Sequence, residues 1–195
     1  MVFLAITMVV NQFGSVNSVA VGAAEKTVCL IMLLPIAFMQ SLSVFVAQNV
    51  GAGQIGRGKQ GLYFSLAISF AFGLMMAYIA YFHGAWLAMV FTKDPAVISA
   101  TAIYLKAYAF DTLLVPFLFC LTGYFNGFGA TTFTMVKSIL GAMLFRIPLP
   151  FLFGAMEPFS LFRIGLSIPI GSVFEIILCL AFYVHFNGKQ KRLNK

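Results

Sequence analysis

Thirty consecutive residues, Thr27 to Gly56, contain no Asp, Glu, Lys or Arg, and a second stretch of thirty-three, Gln60 to Thr92, repeats the pattern. About 20 mostly apolar residues cross the hydrocarbon core of a bilayer as a helix, so each stretch is long enough for one crossing. The side chains are 62% apolar and only 9% charged, far from the roughly 25% charged usage of water-soluble domains. A chain of 195 residues cannot hide that much apolar surface in a core of its own, and lipid has to cover the rest. The apolar runs are continuous and do not alternate, which selects helices over barrel strands. The expected fold class is therefore all-α and polytopic.

Breaker clusters divide the chain into about six helices, near 1–22, 27–48, 62–91, 96–126, 131–155 and 163–186. Gln48 to Gly61 holds five glycines together with Arg57 and Lys59, and reads as a loop outside the hydrocarbon. Asp94-Pro95 offers an N-cap followed by the residue best suited to the first helical position. Asn126-Gly127-Phe128-Gly129 ends the fourth helix, and Glu157-Pro158 separates the fifth from the sixth.

The net charge of +7 is distributed as flanks rather than as a phosphate-binding face, which argues against a nucleic-acid partner. Arg57, Lys59, Lys189, Lys191, Arg192 and Lys195 fall on one side, with Lys137 slightly inside it; Lys26, Lys93 and Arg163 fall on the other. The positive-inside rule makes the first side cytoplasmic, and six crossings bring both termini there. The chain starts directly on apolar residues, Met1-Val2-Phe3-Leu4, with neither the basic lead nor the cleavage site of a signal peptide. This reads as part of a longer protein. Cys29, Cys120 and Cys179 lie within apolar stretches without disulfide or metal spacing, and act as small hydrophobes. Gly53-Gln54-Ile55-Gly56-Arg57-Gly58-Lys59-Gln60 imitates a phosphate-binding loop, but places Gln where Ser or Thr must hold magnesium and follows a membrane helix instead of a strand. Here the glycines are expected to turn the chain.

Ionisable groups deep in an apolar helix are the strongest functional pointers, because each is costly to insert. Glu175 lies about mid-bilayer in the last helix, after Gly171 and Ser172, small residues that admit a neighbouring helix. It can carry a proton for coupled transport or form an internal ion pair with Arg146, which sits at similar depth. Asp111 lies in the fourth helix ahead of Pro116, whose missing N–H frees a carbonyl and can serve as a hinge. Asp111 either binds a cation or faces the aqueous mouth, where Lys106 is available to pair with it. His83 and His185 lie near opposite faces and read as interface anchors, so no metal site is expected.

Three stretches resemble the carboxy-terminal half of multidrug and toxic compound extrusion (MATE) transporters. They are Ala20-Val21-Gly22-Ala23-Ala24-Glu25-Lys26 leading to Gln48-Asn49-Val50-Gly51-Ala52-Gly53 with Arg57; Gly123-Tyr124-Phe125-Asn126-Gly127-Phe128-Gly129; and Arg146-Ile147-Pro148-Leu149. The resemblance implies a single six-helix bundle over residues 1–195, one lobe of a two-bundle transporter whose amino-terminal lobe lies elsewhere. It implies antiport of H⁺ or Na⁺ against organic cations or drugs across the cell membrane, with no other cofactor and no catalytic residues. Asp111 then occupies the helix in which some members place an acidic cation ligand, and Asn11 and Gln12 stand where some relatives carry Glu. Phe38, Tyr108 and Tyr124 are candidates for lining a cavity for flat cations through cation–π contact. The partner is the missing lobe or a second copy of the chain. Competing readings are a lipid or polysaccharide-precursor flippase, an inactive truncation product, and a membrane-embedded transferase. The flippase is disfavoured because only Arg146 lies deep in the membrane, and the transferase because the five acidic residues are scattered.

Overall fold

The computed structural model of the protein describes residues 2–156 and 160–193, with side chains placed for residues 6–156 and 160–186. Glu157, Pro158 and Lys195, which the sequence reading used, lie outside the described residues. No strand occurs among those described. The helices are α1 (Val2–Asn11), α2 (Ser15–Gly51), α3 (Ile55–Phe82), α4 (Gly84–Met89), α5 (Pro95–Gly127), α6 (Thr131–Gly141), α7 (Pro148–Gly154) and α8 (Leu161–Leu193), with a π-turn over Ala142–Arg146 joining α6 to α7. Five segments are long and apolar enough to cross a bilayer: Ser15–Gly51, Ile55–Phe82, Pro95–Gly127, Thr131–Gly154 and Leu161–Phe186.

The first expected boundary is misplaced. Glu25 and Lys26 do not separate two helices; both ride inside α2, with Glu25 half-buried and Lys26 exposed. The break falls earlier, at Gln12–Gly14, where Gly14 has φ 109°, a conformation that favours a residue without Cβ. α1 then folds back on the first half of α2 and adds Ile6, Val9 and Val10 to a core shared with Ala20, Val21, Tyr104 and Ile164. The described part of α1 is ten residues, about 15 Å long by helical rise, and so is not counted among the five crossings.

The second correction concerns Gln48–Gly61. Only Ala52–Gln54 leave the helical conformation, and Gly53, at φ +73°, is the single left-handed position there. The remaining glycines are helical and thin the helix surface: Gly61 leaves room for the Phe45 ring to lie across it. The expected helix at 62–91 is likewise split at His83 into α3 and the short α4.

The cap at Asp94 is as expected. Its Oδ1 accepts the Ala96 N–H at 2.9 Å, and Pro95 takes the first helical position. α5 is the axis of the bundle and packs against α2, α3, α4 and α8. Glycines set these approaches: a Cβ at Gly123 would strike the Met39 carbonyl, and one at Gly127 would lie 2.7 Å from the Ser43 oxygen. At Pro116 the missing N–H leaves the Thr112 carbonyl without its helical donor, and Gly73 of α3 lies directly against that turn. Outside, the helices display Leu33, Phe64, Ile68, Leu144, Leu152 and Val184. Large side chains in that number would be a liability in water and are at home in hydrocarbon.

Candidate functional site

Four charged side chains from four segments meet inside the bundle. Lys137 lies in the second turn of α6, one turn before Gly141. Arg146 ends the π-turn. Pro148 and Pro150 cannot donate to the carbonyls of Leu144 and Arg146, and the Ile147 N–H reaches back five residues to Ala142 at 2.9 Å. That wider turn re-aims Arg146 towards α8. From α8 come Ser172 and Glu175, and from α5 comes Asp111.

The Glu175 carboxylate takes Lys137 Nζ on Oε2 at 3.1 Å and Arg146 Nη2 on Oε1 at 3.4 Å. The same Nη2 donates to Ser172 Oγ at 3.0 Å, and that hydroxyl donates to Asp111 Oδ1. Tyr108, one turn before Asp111 on α5, is a further neighbour of this carboxylate. Two carboxylates and two cations thus form one chain of charge-assisted contacts with no formal net charge. Balance of this kind is what permits four such groups to sit where water is scarce. Lys137, Asp111 and Glu175 are each under 5% exposed. Arg146 is more open, with 26% of its side chain accessible.

Small residues make the room. A Cβ on Gly141 would stand 2.6 Å from the Glu175 carboxylate, and one on Gly171 would stand 2.8 Å from Arg146 Cγ. Lys137, Arg146 and Glu175 also line a cavity of about 190 Å³, closed on its other sides by Met39 and Thr122 among others. Arg146 Nε is buried with no partner among the described residues.

The sequence reading paired Arg146 with Glu175, and these two are in contact. It offered Asp111 the aqueous mouth or Lys106 as alternatives to cation binding; Asp111 is instead buried and bonded to Ser172, while Lys106 is exposed. The sequence puts Lys137 slightly inside the cytoplasmic edge, yet it is a buried cation in contact with Glu175, so Arg146 is not the lone deep one. The signal available in sequence was Gly141, one turn after Lys137 and wasteful in a helix unless something packs there.

The remaining candidates do not converge on this cavity. Asn11 and Gln12 are exposed at the α1–α2 turn. Phe38 is half-buried on α2 and lines a separate groove between α2 and α3. Tyr108 accompanies Asp111. Tyr124 is fully buried among the rings of Phe125, Phe128 and Tyr183, and Pro116 lies within α5 against Gly73.

A family profile described as MatE matches residues 1–152, which include Asp111, Lys137 and Arg146 but stop short of α8. Among curated proteins the chain is 22% identical over 170 residues to the probable multidrug resistance protein NorM of Bacillus licheniformis, covering 87% of this chain and 38% of that protein. It is 26% identical over 162 residues to the FAD transporter of Shewanella oneidensis, covering 82% and 35%. It is 25% identical over 190 residues to the probable multidrug resistance protein YpnP of Bacillus subtilis, covering 97% and 42%. The chain spans about two-fifths of the length of these relatives.

Proposed function

The chain belongs to the MatE family, and from that premise we propose that it forms the carboxy-terminal bundle of a secondary transporter that exports organic cations or drugs against an inward flow of H⁺ or Na⁺. The observation that carries this reading is the balanced network of Asp111, Glu175, Lys137 and Arg146 at the edge of a cavity. Coupling requires an acidic group that alternates between a loaded and an unloaded state while its internal partners exchange with the incoming cation. Glu175 meets that need because it borders the cavity and its internal cations can be displaced. A proton or Na⁺ arriving at Glu175 competes with Lys137 and Arg146. Once released, Arg146 has Asp111 within reach through Ser172, and its unpaired Nε is a spare donor for the move. Pro116, where α5 lacks one helical hydrogen bond, is the proposed hinge.

A complete route needs a second bundle, supplied by the amino-terminal lobe or by another copy of the chain. By the positive-inside rule, Arg57, Lys59 and the basic tail of the sequence support a cytoplasmic position for the α2–α3 turn and the end of α8 in a multi-pass arrangement in the cell membrane. The relatives named as multidrug resistance proteins support a drug-like cargo.

A second reading, transport of an anionic cargo such as a lipid-linked sugar precursor, gains from Lys137 being a second buried cation and from the relative named as an FAD transporter. It loses because the two cations are balanced by two carboxylates, Glu175 in direct contact and Asp111 through Ser172, which leaves no positive surplus for an anion.

The test uses the full-length transporter in proteoliposomes. Asp111→Asn and Glu175→Gln should each cut ion-driven efflux of a cationic dye at least about tenfold, a rise of about 1.4 kcal/mol in the transport barrier. Whether an imposed H⁺ or Na⁺ gradient drives the wild type identifies the ion. Full efflux with both residues replaced would sink the coupling role.

A further inference from the structure

A groove of about 500 Å³ runs between α2 and α3, on the outside of the bundle and apart from the charged network. Its volume lies in the range of small-molecule sites. Arg57 stands at the mouth, in the first turn of α3; one turn deeper the Gln60 amide lies level with the Phe45 ring of α2, and the Ser41 hydroxyl lies a turn deeper still. Phe64 and Ser65 of α3 lie across from Ser41, and the ring of Phe38 lies a further turn in. Phe45 lies flat across Gly61, which closes the groove floor. Phe64 is 70% exposed, a large ring left largely uncovered by the rest of the described bundle.

The mouth is positive and uncompensated. No Asp or Glu occurs between Thr27 and Lys93, and among the described residues neither Arg57 nor Lys59 has an acidic partner. Arg57 spends one of its donors on Gln54 Oε1 at 2.9 Å, and this bond fixes the guanidinium at the helix start. A guanidinium held in this way presents its remaining donors as a fork suited to a phosphate.

We propose that this groove is a binding site for one anionic phospholipid, with its phosphate on Arg57 and an acyl chain running past Phe45 and Phe64 towards Phe38. The match is an uncompensated cation at the mouth with aromatic rings running from it along the groove, which suits a phosphate joined to an acyl chain. The positive mouth disfavours an organic cation as occupant, so the proposal does not depend on the transport reading. Lys59 adds a second basic charge at the same edge, where each basic residue near an anionic surface favours binding about fivefold.

The experiment places a reporter in the groove of the full-length protein. In a Trp86→Phe background, which removes the single Trp of this chain, with Trp elsewhere in the protein likewise replaced, Phe64→Trp serves as the groove probe. Leu74→Trp, on the same helix and away from the groove, serves as the control. Each is reconstituted with phospholipids brominated on the acyl chain, carrying either phosphatidylglycerol or phosphatidylcholine headgroups. Fluorescence of the groove probe should be quenched with about fivefold preference for the brominated phosphatidylglycerol, and that of the control with none. Adding Arg57→Gln should abolish the preference at the groove probe, and Arg57→Lys should keep part of it. Equal quenching of the groove probe by both lipids would mean ordinary bulk lipid contact and overturns the proposal. Absence of quenching at the groove probe, with normal quenching of the control, would mean that another part of the protein fills the groove, and overturns it equally.

Discussion

Lys137 Nζ lies 3.1 Å from Glu175 Oε2, with each side chain at most 5% exposed and α6 facing α8 at that point. Removing one member of a buried pair leaves the other charge stranded, at a cost of about 3–5 kcal/mol. The two single changes should differ. Lys137→Met leaves Glu175 with Arg146 as partner, and should fall at the low end of that range. Glu175→Gln strands Lys137, and should fall at the high end. The double variant should be more stable than the sum of the singles, with a coupling of about 1–3 kcal/mol. Thermal unfolding of the four proteins in one detergent completes the cycle.

This pair also marks where reading the sequence stopped. The membrane class, the all-helical fold and the cap at Asp94 were legible because hydrocarbon thickness and backbone donors impose them locally. The pairing of Arg146 with Glu175 was legible by depth alone, since both lie in apolar helices that could not hold them singly. Lys137 was not, because one Lys near a helix end ordinarily reaches the interface, and its partner is 38 residues away. Glu25 and Lys26 misled for the converse reason. A charged pair looks like a loop, yet one turn of α2 carries both, while the true break rests on a single glycine, Gly14.

The glycines of α3 and α5 should separate by what faces them. At Gly58 a methyl group would sit 3.7 Å from Val46, an ordinary contact. Gly58→Ala should therefore be neutral or gain up to about 1 kcal/mol from helix propensity. At Gly123 the methyl would enter the backbone of α2 at Met39, which cannot move without shifting the helix. Gly123→Ala should cost about 1–3 kcal/mol by overpacking. Parallel thermal shifts of opposite sign are the expected result, and equal shifts would contradict the close approach of α2 and α5.

At the start of α5 the Asp94 side chain satisfies the Ala96 N–H at 2.9 Å. Asp94→Ala should cost about 1 kcal/mol, while Asp94→Asn, which keeps the acceptor, should cost little. Because Asp94 caps the end of its helix and lies far in sequence from Asp111, neither change should alter efflux per folded molecule. Efflux normalised to folded protein is the measurement.

Gly171 offers a way to move Arg146 without deleting a charge. A methyl group there would stand 2.8 Å from Arg146 Cγ, a flexible stem that can swing aside into the cavity it already borders. Gly171→Ala should thus lower stability only modestly, by about 1 kcal/mol, since the added helix propensity offsets part of the displacement. Function should suffer more. With Arg146 pushed off, Glu175 keeps only Lys137, and the contact through Ser172 to Asp111 is lost. Ser172→Ala removes the same connection from the other end and should give the same efflux defect. Its stability cost should be larger, about 1–3 kcal/mol, because the Asp111 carboxylate loses a buried donor outright. If the four groups act as one unit, the combined Gly171→Ala and Ser172→Ala protein exports no worse than the weaker single variant. A multiplicative loss would mean that Arg146 and Asp111 act independently.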